Sequence, residues 1–465
     1  MTFGGAPCPS LWGYFSETIT DVCNTLIQCS SWDFMAFSDE TSFKIPNPIS
    51  LPDNIPFAQA KAMAVDIPVN DLGKVDVFID DNIAITPDLN CNTTRVIRAI
   101  PLAIHSIARP VVSTDDIPRV DIISANKFQA EGTFEEVKIV LGWHINTRSL
   151  LISLPRDKHQ KWSHDINKLI SSRRNTYDVL ESTIGRLNHT AGFIPMLRHF
   201  LGRLRQALFR SATNKWTNFR LCEISDLHIC LTILDHAATG IPINNIVFRK
   251  PTNFYRSDAS EFGMGGYNLT SGLAWRYQLP VDLRLRTSLN SLEFLACVIT
   301  IWIDIINNKI QPEDCILSQS DSTSATGWLR KSNFHDSEES FIQMVTARQL
   351  ATLILKSNSC LYSQWFSGGE NLIADSLSRD FHLNDSALSK FLISSVPHQV
   401  PFGLKIKPLP SEISSWLTSM LQNLPEKEWW LKEPTRSSLW HGSVTTLPCV
   451  HRNYRRLVPR KLLKR

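Results

Sequence analysis

The sequence predicts an α/β protein, and three patterns in its 465 residues lead to this class. Residues 74–86 alternate apolar and polar side chains around an acidic turn, which is typical of a β-hairpin. Residues 156–240 carry apolar side chains at helical spacing. Residues 252–380 follow the order β-β-β-α-β-α-α-β-α, which implies a mixed five-stranded sheet with helices on its faces.

The elements before residue 156 follow from local patterns. We predict helices over 16–28 and 93–108, with a Pro-rich and polar loop over 39–70. In the first hairpin, alternating apolar residues share one face and the turn is expected at 80–82. A second hairpin is predicted from strands at 137–145 and 149–154.

The later elements are predicted in the same way. Two apolar stripes mark helices between 180 and 208, and arginines lie mostly off them. After three strands within 252–278, the predicted elements are a helix over 290–306, a strand over 314–320, helices over 322–331 and 336–356, a strand over 361–366 and a helix from 371. The Pro-rich tail from 382 contains an amphipathic helix over 411–424, capped at Ser411.

The charge distribution favours a polyanionic partner. Residues 156–250 hold fifteen Lys or Arg against seven Asp or Glu, and 451–465 hold seven basic residues and no acid. Such clusters are typical of nucleic-acid binding, although a solvated helical face with a disordered end would have the same composition.

Composition also bears on the compartment. Ten cysteines without zinc-type spacing indicate reduced thiols of an intracellular protein, in the cytoplasm or nucleus. We see no secretory signal at the N-terminus. The most apolar run, 292–306, contains two acids and is judged too short and too charged to span a bilayer, so we expect no membrane partner.

Four acids in separate elements form the main candidate site: Asp258, Glu293, Asp321 and Asp375. Two should end strands and two should begin helices. Each also has a structural explanation: a turn residue, a capping box Asn290-x-x-Glu293, a helix cap and a helix N-terminus. Carboxylates brought together repel one another unless cations lie between them, which favours a Mg²⁺ or Mn²⁺ site acting on phosphate esters.

The flanks of these acids resemble the ribonuclease H domain of retroelements. The longest match runs from Trp365 to Arg379 as WFSGGENLIADSLSR, close to the family pattern W-x-P-G-x-x-N-x-x-A-D-x-L-S-R, with Ser367 in place of proline. The segments SDAS, LEFLA and SDSTSA around the other three acids match the family in order and context.

This resemblance implies a function and a set of roles. Asp258, Glu293, Asp321 and Asp375 would be the catalytic and metal-ligating residues, with Mg²⁺ or Mn²⁺ as cofactor. The implied activity is two-metal hydrolysis of RNA in RNA–DNA hybrids. Many members carry a histidine before the last acid, and none occurs here between Gly368 and Asp375, which leaves the proton-transfer step open.

The first part of the chain resembles the palm of reverse transcriptases. Phe78-Ile79-Asp80-Asp81 is similar to the F/Y-x-D-D motif, and the segment 3–7 (FGGAP) is similar to a palm segment beside the nucleotide. The resemblance implies catalytic and metal-binding roles for Asp80 and Asp81. By a weaker match, it implies that Lys127 is the palm lysine that donates a proton to pyrophosphate. It also implies nucleic-acid contacts, made by the following residues: Gly142, Trp143, Arg198, Arg203 and Arg205.

We therefore interpret the chain as a retrotransposon-derived reverse transcriptase/ribonuclease H fragment, similar to tyrosine-recombinase retroelements. The expected domains are an incomplete palm over 1–155, a helical thumb/connection over 156–250, a ribonuclease H-like domain over 251–381 and a tail over 382–465. The family's first palm Asp and fingers are missing, so RNA-directed DNA polymerase activity is expected only if they are supplied. A non-catalytic nucleic-acid-binding remnant is the other alternative, and other retroelement proteins are further candidate partners.

Overall fold

The computed structural model forms two compact units, one built from residues within 1–58 and 66–149, the other from 59–65 and the chain after 149. It describes residues in the following ranges: 8–36, 48–52, 54–66, 70–213, 216–281, 287–332, 334 and 341–424. The predictions for the segment 3–7 and for the basic end 451–465 lie outside these residues.

The first unit packs helices against a β-hairpin. Its elements are α1 (Cys8–Gln28), β1 (Lys74–Phe78), β2 (Asp81–Ile85), α2 (Asn92–Ile107), α3 (Ala125–Glu131), β3 (Val137–Val140) and β4 (Trp143–Asn146). Ile19, Cys23 and Ile27 recur every fourth residue along α1 and are buried against Val75 and Val96. This spacing is why a single face of α1 reaches the core.

The turns of the first unit differ from those predicted. Phe78 pairs with Asp81, so the first turn is Ile79-Asp80 rather than 80–82. The second prediction treated 137–145 as one strand, whereas this segment is itself a hairpin in which β3 and β4 pair. Leu141 and Gly142 have φ values of 49° and 80°, which suits a two-residue turn.

The second unit begins with a helical region. Its elements are β5 (Leu151–Ser153), α4 (Arg156–Ser172), β6 (Arg174–Asn175), α5 (Tyr177–Thr190), α6 (Arg198–Thr213), β7 (Thr217–Asn218), α7 (Leu221–Thr239) and β8 (Ile241–Pro242). The strand predicted over 149–154 is β5, which pairs with β8. The predicted stripes are buried, as Leu180 and Leu187 in α5 and Leu201 and Leu204 in α6 show.

A mixed sheet with helices follows. Its elements are β9 (Asn253–Ala259), β10 (Gly263–Asn268), β11 (Leu273–Gln278), α8 (Leu289–Ile306), β12 (Cys315–Ser320), α9 (Thr323–Lys331), α10 (Phe341–Ser357), β13 (Cys360–Trp365), α11 (Leu372–Arg379), α12 (Asp385–Ser395), β14 (Lys405–Ile406) and α13 (Ser411–Gln422). The strand order is β13-β12-β9-β10-β11-β14. Strands β9, β10 and β11 are antiparallel, whereas β12 runs parallel to β9 and β13 parallel to β12. The five predicted strands are present, and the two-residue β14 is a sixth.

Helix α8 is the core helix of this sheet. It packs on β9 and β10, and it starts at Leu289, one residue before the predicted start at 290. Within the described residues it is the one helix long and apolar enough to cross a membrane by length and composition. However, 72% of that window is buried inside the protein, and buried core helices pass the same test.

The predicted amphipathic helix of the tail is α13, and it packs on α8. Trp416 meets Trp302 edge to face, with ring centroids 5.2 Å apart. Ile413 and Leu417 are fully buried. Its N-cap is Pro410 rather than the predicted Ser411, which is the first helical residue.

Candidate active site

Two of the four candidate acids lie at one edge of the mixed sheet. Strands β9 and β12 are parallel neighbours, and Arg256 pairs with Gln319. Asp258 lies two residues after Arg256, and Asp321 lies two residues after Gln319. The two acids are therefore in register with each other at the carboxyl ends of the two strands. Asp258 is buried, with 5% of its surface exposed, and Asp321 is half-buried.

Glu293 lies next to this edge and has no capping role. The N-cap of α8 is Ser288, whose hydroxyl accepts a hydrogen bond from the Ser291 N–H. The expected capping box of Asn290 and Glu293 is therefore wrong, and Glu293 falls in the second turn. Its Oε2 atom is buried and has no hydrogen-bond partner among the described residues.

A structural role at a helix start is excluded for Asp321 but fits Asp375. Helix α9 is capped by Ser322, which accepts from the Ala325 N–H at 3.2 Å, so Asp321 is not the cap. Asp375 lies in the first turn of α11, where a carboxylate complements the helix dipole. Of the structural explanations considered for the four acids, that of Asp375 therefore agrees with the helix geometry.

The raised pKa values of Asp258 and Glu293 indicate that Asp258 is electrostatically coupled to the other three carboxylates. Burial first, with the Asp321 and Asp375 carboxylates adding to it, raises the pKa of Asp258 to about 6 against an opposing hydrogen bond from Ser378. The pKa of Glu293 is raised to about 8, mainly by burial and further by the nearby carboxylates of Asp258 and Asp321. Asp258 therefore interacts with each of the other three acids, as expected for a single electrostatic cluster.

Neutral groups hold the cluster in place. Ser378 donates to Asp258 Oδ2 at 2.6 Å, and Asn371 Nδ2 donates to Asp321 Oδ1 at 3.2 Å. The indole N–H of Trp365 donates to the Asp321 carbonyl at 2.7 Å. Sequence reasoning assigned no role to Asn371 or Ser378, although both lie within the WFSGGENLIADSLSR segment.

The four acids suit a divalent metal ion in the chemical type of their donor atoms. Four carboxylates form an all-oxygen set of the kind Mg²⁺ and Mn²⁺ prefer, and Glu293 Oε2 lacks a protein partner. Yet no three His, Cys, Asp or Glu side chains in the described ranges are close enough to hold one ion. Asp375 is instead paired with Arg379 at 2.7 Å, with both side chains about half exposed.

Asp80 and Asp81 lie apart from this cluster in the sequence and belong to the first unit. Asp80 is exposed in the hairpin turn, and Asp81 opens β2, where it accepts from Lys127 Nζ at 2.7 Å. That hydrogen bond raises the pKa of Lys127. Ile79 is a β-branched residue at φ 59°, and its carbonyl accepts from the Trp12 indole at 2.8 Å.

The five residues predicted to contact nucleic acid differ in their surroundings. Gly142 lies in the β3–β4 turn, whereas Trp143 is 1% exposed and therefore part of the packed interior. Arg203 pairs at 2.8 Å with Asp226, a fully buried acid that also pairs with Arg348 at 2.8 Å. Arg205 donates to the Asn188 side chain, and Arg198 is the first residue of α6.

The chain was compared with family models, curated proteins and solved structures. No family model matches this chain, and no curated protein matches it. One solved structure that does match is the foamy viral protease-reverse transcriptase in complex with RNA/DNA hybrid, at 12% identity and a TM-score of 0.29. The match covers 63% of this chain and 35% of that chain.

Proposed function

We propose that this protein binds nucleic acid and hydrolyses the RNA strand of RNA–DNA hybrids with Mg²⁺ or Mn²⁺. One observation carries the proposal: four acids from separate elements interact as a single, partly buried cluster, in segments that resemble ribonuclease H. Asp258 and Glu293 both have raised pKa values because of burial and neighbouring carboxylates. Groups shifted in this way are more frequent at functional sites than elsewhere.

The cluster's own residues have distinct tasks in this proposal. Glu293 Oε2 and the carboxylates of Asp258 and Asp321 would hold the ions, and Asp375 would join them when it leaves Arg379. When bound there, such ions would supply positive charge at the attacked phosphate and would lower the pKa of a bound water. Burial around Asp258 excludes water and strengthens every charge interaction there.

The choice of strand and partner follows from general chemistry. RNA differs from DNA by its 2′-hydroxyl, so strand choice would depend on contacts to that group. The surplus of basic residues over 156–250 suits the phosphate backbone of a duplex. An intracellular location and other retroelement proteins as partners belong to the same proposal.

The decisive experiment uses purified protein and a hybrid labelled on the RNA strand. We expect Mg²⁺-dependent cleavage that is lost in Asp258→Asn and in Asp321→Asn. Asp235→Asn is the matched control, because this acid is 68% exposed and pairs with His159 on the helical region. Absence of cleavage by the wild type, or its survival in Asp258→Asn, would reject the proposal.

A non-catalytic nucleic-acid binder is the second candidate. It is favoured by the pairing of Asp375 with Arg379 and by the absence, in the part of the chain that is described, of three acids close enough for one ion. Hybrid binding that is equally tight with Mg²⁺ and with a chelator, without cleavage, would support it.

Polymerase activity through Asp80 and Asp81 is proposed only together with the family's first palm Asp and its fingers. Asp81 is already engaged by Lys127, which balances its charge. Primer extension on an RNA template by this chain alone would contradict that condition.

A further inference from the structure

Asn371 touches three of the elements that carry the acid cluster. Its side chain is 1% exposed at the start of α11, and Nδ2 lies 3.2 Å from Asp321 Oδ1 and 3.2 Å from the Ser257 carbonyl. Its own carbonyl accepts from the Asp375 N–H at 3.0 Å. One residue therefore connects the ends of β9 and β12 with the helix of Asp375.

The orientation of this amide follows from its partners. A carboxylate oxygen and a backbone carbonyl both accept hydrogen bonds, so the NH₂ group must face them. Oδ1 then faces the other way, buried and without a hydrogen-bond partner among the residues described. Leaving a buried acceptor unpaired is costly, which indicates that the two bonds of Nδ2, to Asp321 and to the Ser257 carbonyl, determine how the amide is oriented.

An ordinary helix-capping role does not explain Asn371. It is the N-cap residue of α11, yet its side chain makes no capping hydrogen bond to any described residue. By contrast, Asn384 is the N-cap of α12 and accepts from the Ala387 N–H at 2.9 Å. The Asn371 amide serves the carboxylate of Asp321 instead.

We propose that Asn371 is a positioning residue of the acid cluster. Its side-chain amide holds Asp321 at a fixed distance from β9 and α11, so that the carboxylate is placed to receive a bound cation. This inference rests on the proposed function in that it requires the cluster to bind divalent ions. Residues that orient metal ligands in this way typically contribute roughly 10- to 100-fold to metal affinity.

The test is Mn²⁺ binding by the full chain without nucleic acid, with free Mn²⁺ measured by its electron paramagnetic resonance signal. We expect Asn371→Ala to weaken Mn²⁺ binding roughly 10- to 100-fold. Asn384→Ala is the matched control: it removes a helix cap and lowers the melting temperature but keeps wild-type Mn²⁺ affinity. Circular dichroism checks that each variant is folded, and Asn371→Ser replaces Asn371→Ala if the latter does not fold.

Two further readouts separate positioning from general stability. In a cleavage assay, Asn371→Ala should raise the Mg²⁺ concentration needed for half-maximal rate and leave the KM for hybrid unchanged at saturating Mg²⁺. Wild-type Mn²⁺ affinity in a folded Asn371 variant would overturn the inference, as would a wild type that binds no Mn²⁺. If the wild type binds Mn²⁺ but does not cleave hybrid, the proposed function fails while the positioning role is still decided by the binding comparison.

Discussion

Ser378 Oγ lies 2.6 Å from Asp258 Oδ2 and donates a hydrogen bond to it across 120 residues of sequence. The serine is fully buried on α11 and the aspartate nearly so at the end of β9. This bond opposes the rise in the Asp258 pKa that burial causes. It therefore favours the ionised carboxylate, which is the form that binds a cation.

We predict that Ser378→Ala lowers the free energy of unfolding by roughly 1.5–3 kcal/mol at pH 7, because a buried acceptor with charge loses its donor. Urea denaturation measures the change. Ser394→Ala is the control, since that hydroxyl donates to the Phe391 carbonyl on the exposed side of α12 and should cost little. Equal losses of unfolding free energy in the two variants would show that the hydrogen bond from Ser378 to Asp258 stabilises the protein no more than an exposed one does.

The raised pKa of Glu293 predicts that Mg²⁺ stabilises the protein more at high pH. Between pH 4.5 and about 8 the folded protein binds more protons at Glu293 than the unfolded chain does. Stability therefore falls as pH rises through that window, and a divalent ion offsets the repulsion once the carboxylate is ionised. The shift of melting temperature on adding Mg²⁺ should be larger at pH 8 than at pH 5.5.

Glu293→Gln should remove most of that pH dependence, whereas Glu412→Gln, on the exposed first turn of α13, should retain it. A Mg²⁺ shift in the wild type that is the same at both pH values would count against Glu293 as a ligand.

His199 predicts a second pH effect with the opposite sign. Burial lowers the pKa of this histidine to about 4, and its ring lies 4.7 Å from that of Phe334. Between pH 6.5 and about 4 the unfolded chain binds more protons, so stability is retained above pH 6.5 and lost as pH falls. The expected slope is about 1.4 kcal/mol per pH unit within that window.

Urea unfolding at pH 6.5 and pH 5 tests this slope. His199→Phe should show a smaller loss between the two pH values than the wild type, while His228→Gln, at an exposed position, should behave as the wild type does. An unchanged slope in His199→Phe would mean that other groups produce it.

The sequence predicted the sheet better than the chain's turns and short elements. The strands β9 to β13 overlap segments that were predicted as strands, because strand and turn preferences are local properties of the sequence. The two-residue β14 carries no period, and its pairing with β11 depends on contacts far apart in sequence. The β3–β4 turn was missed because Leu141 takes a positive φ, which apolar residues rarely do.

The site was predictable as residue types but not as a network. Motif spacing identified Asp258, Glu293, Asp321 and Asp375. The contacts of Asn371 with Ser257 and of Ser378 with Asp258 join residues more than a hundred positions apart. Such pairs leave no pattern in a single sequence, because any small polar residue in a helix is equally compatible with solvent.

The two glycines before α11 offer the sharpest test of the cluster's geometry, because they are adjacent and differ in surroundings. A Cβ on Gly368 would lie 2.8 Å from Asp321 Oδ2, whereas the nearest atom to a Cβ on Gly369 is Ser367 Oγ at 3.9 Å. Asn371 holds Asp321 on its other oxygen, so the carboxylate cannot yield without losing that bond. We predict that Gly368→Ala weakens Mn²⁺ binding roughly tenfold or more and that Gly369→Ala leaves it unchanged, as measured by titration. Equal affinities for the two variants would mean that Asp321 does not hold the ion.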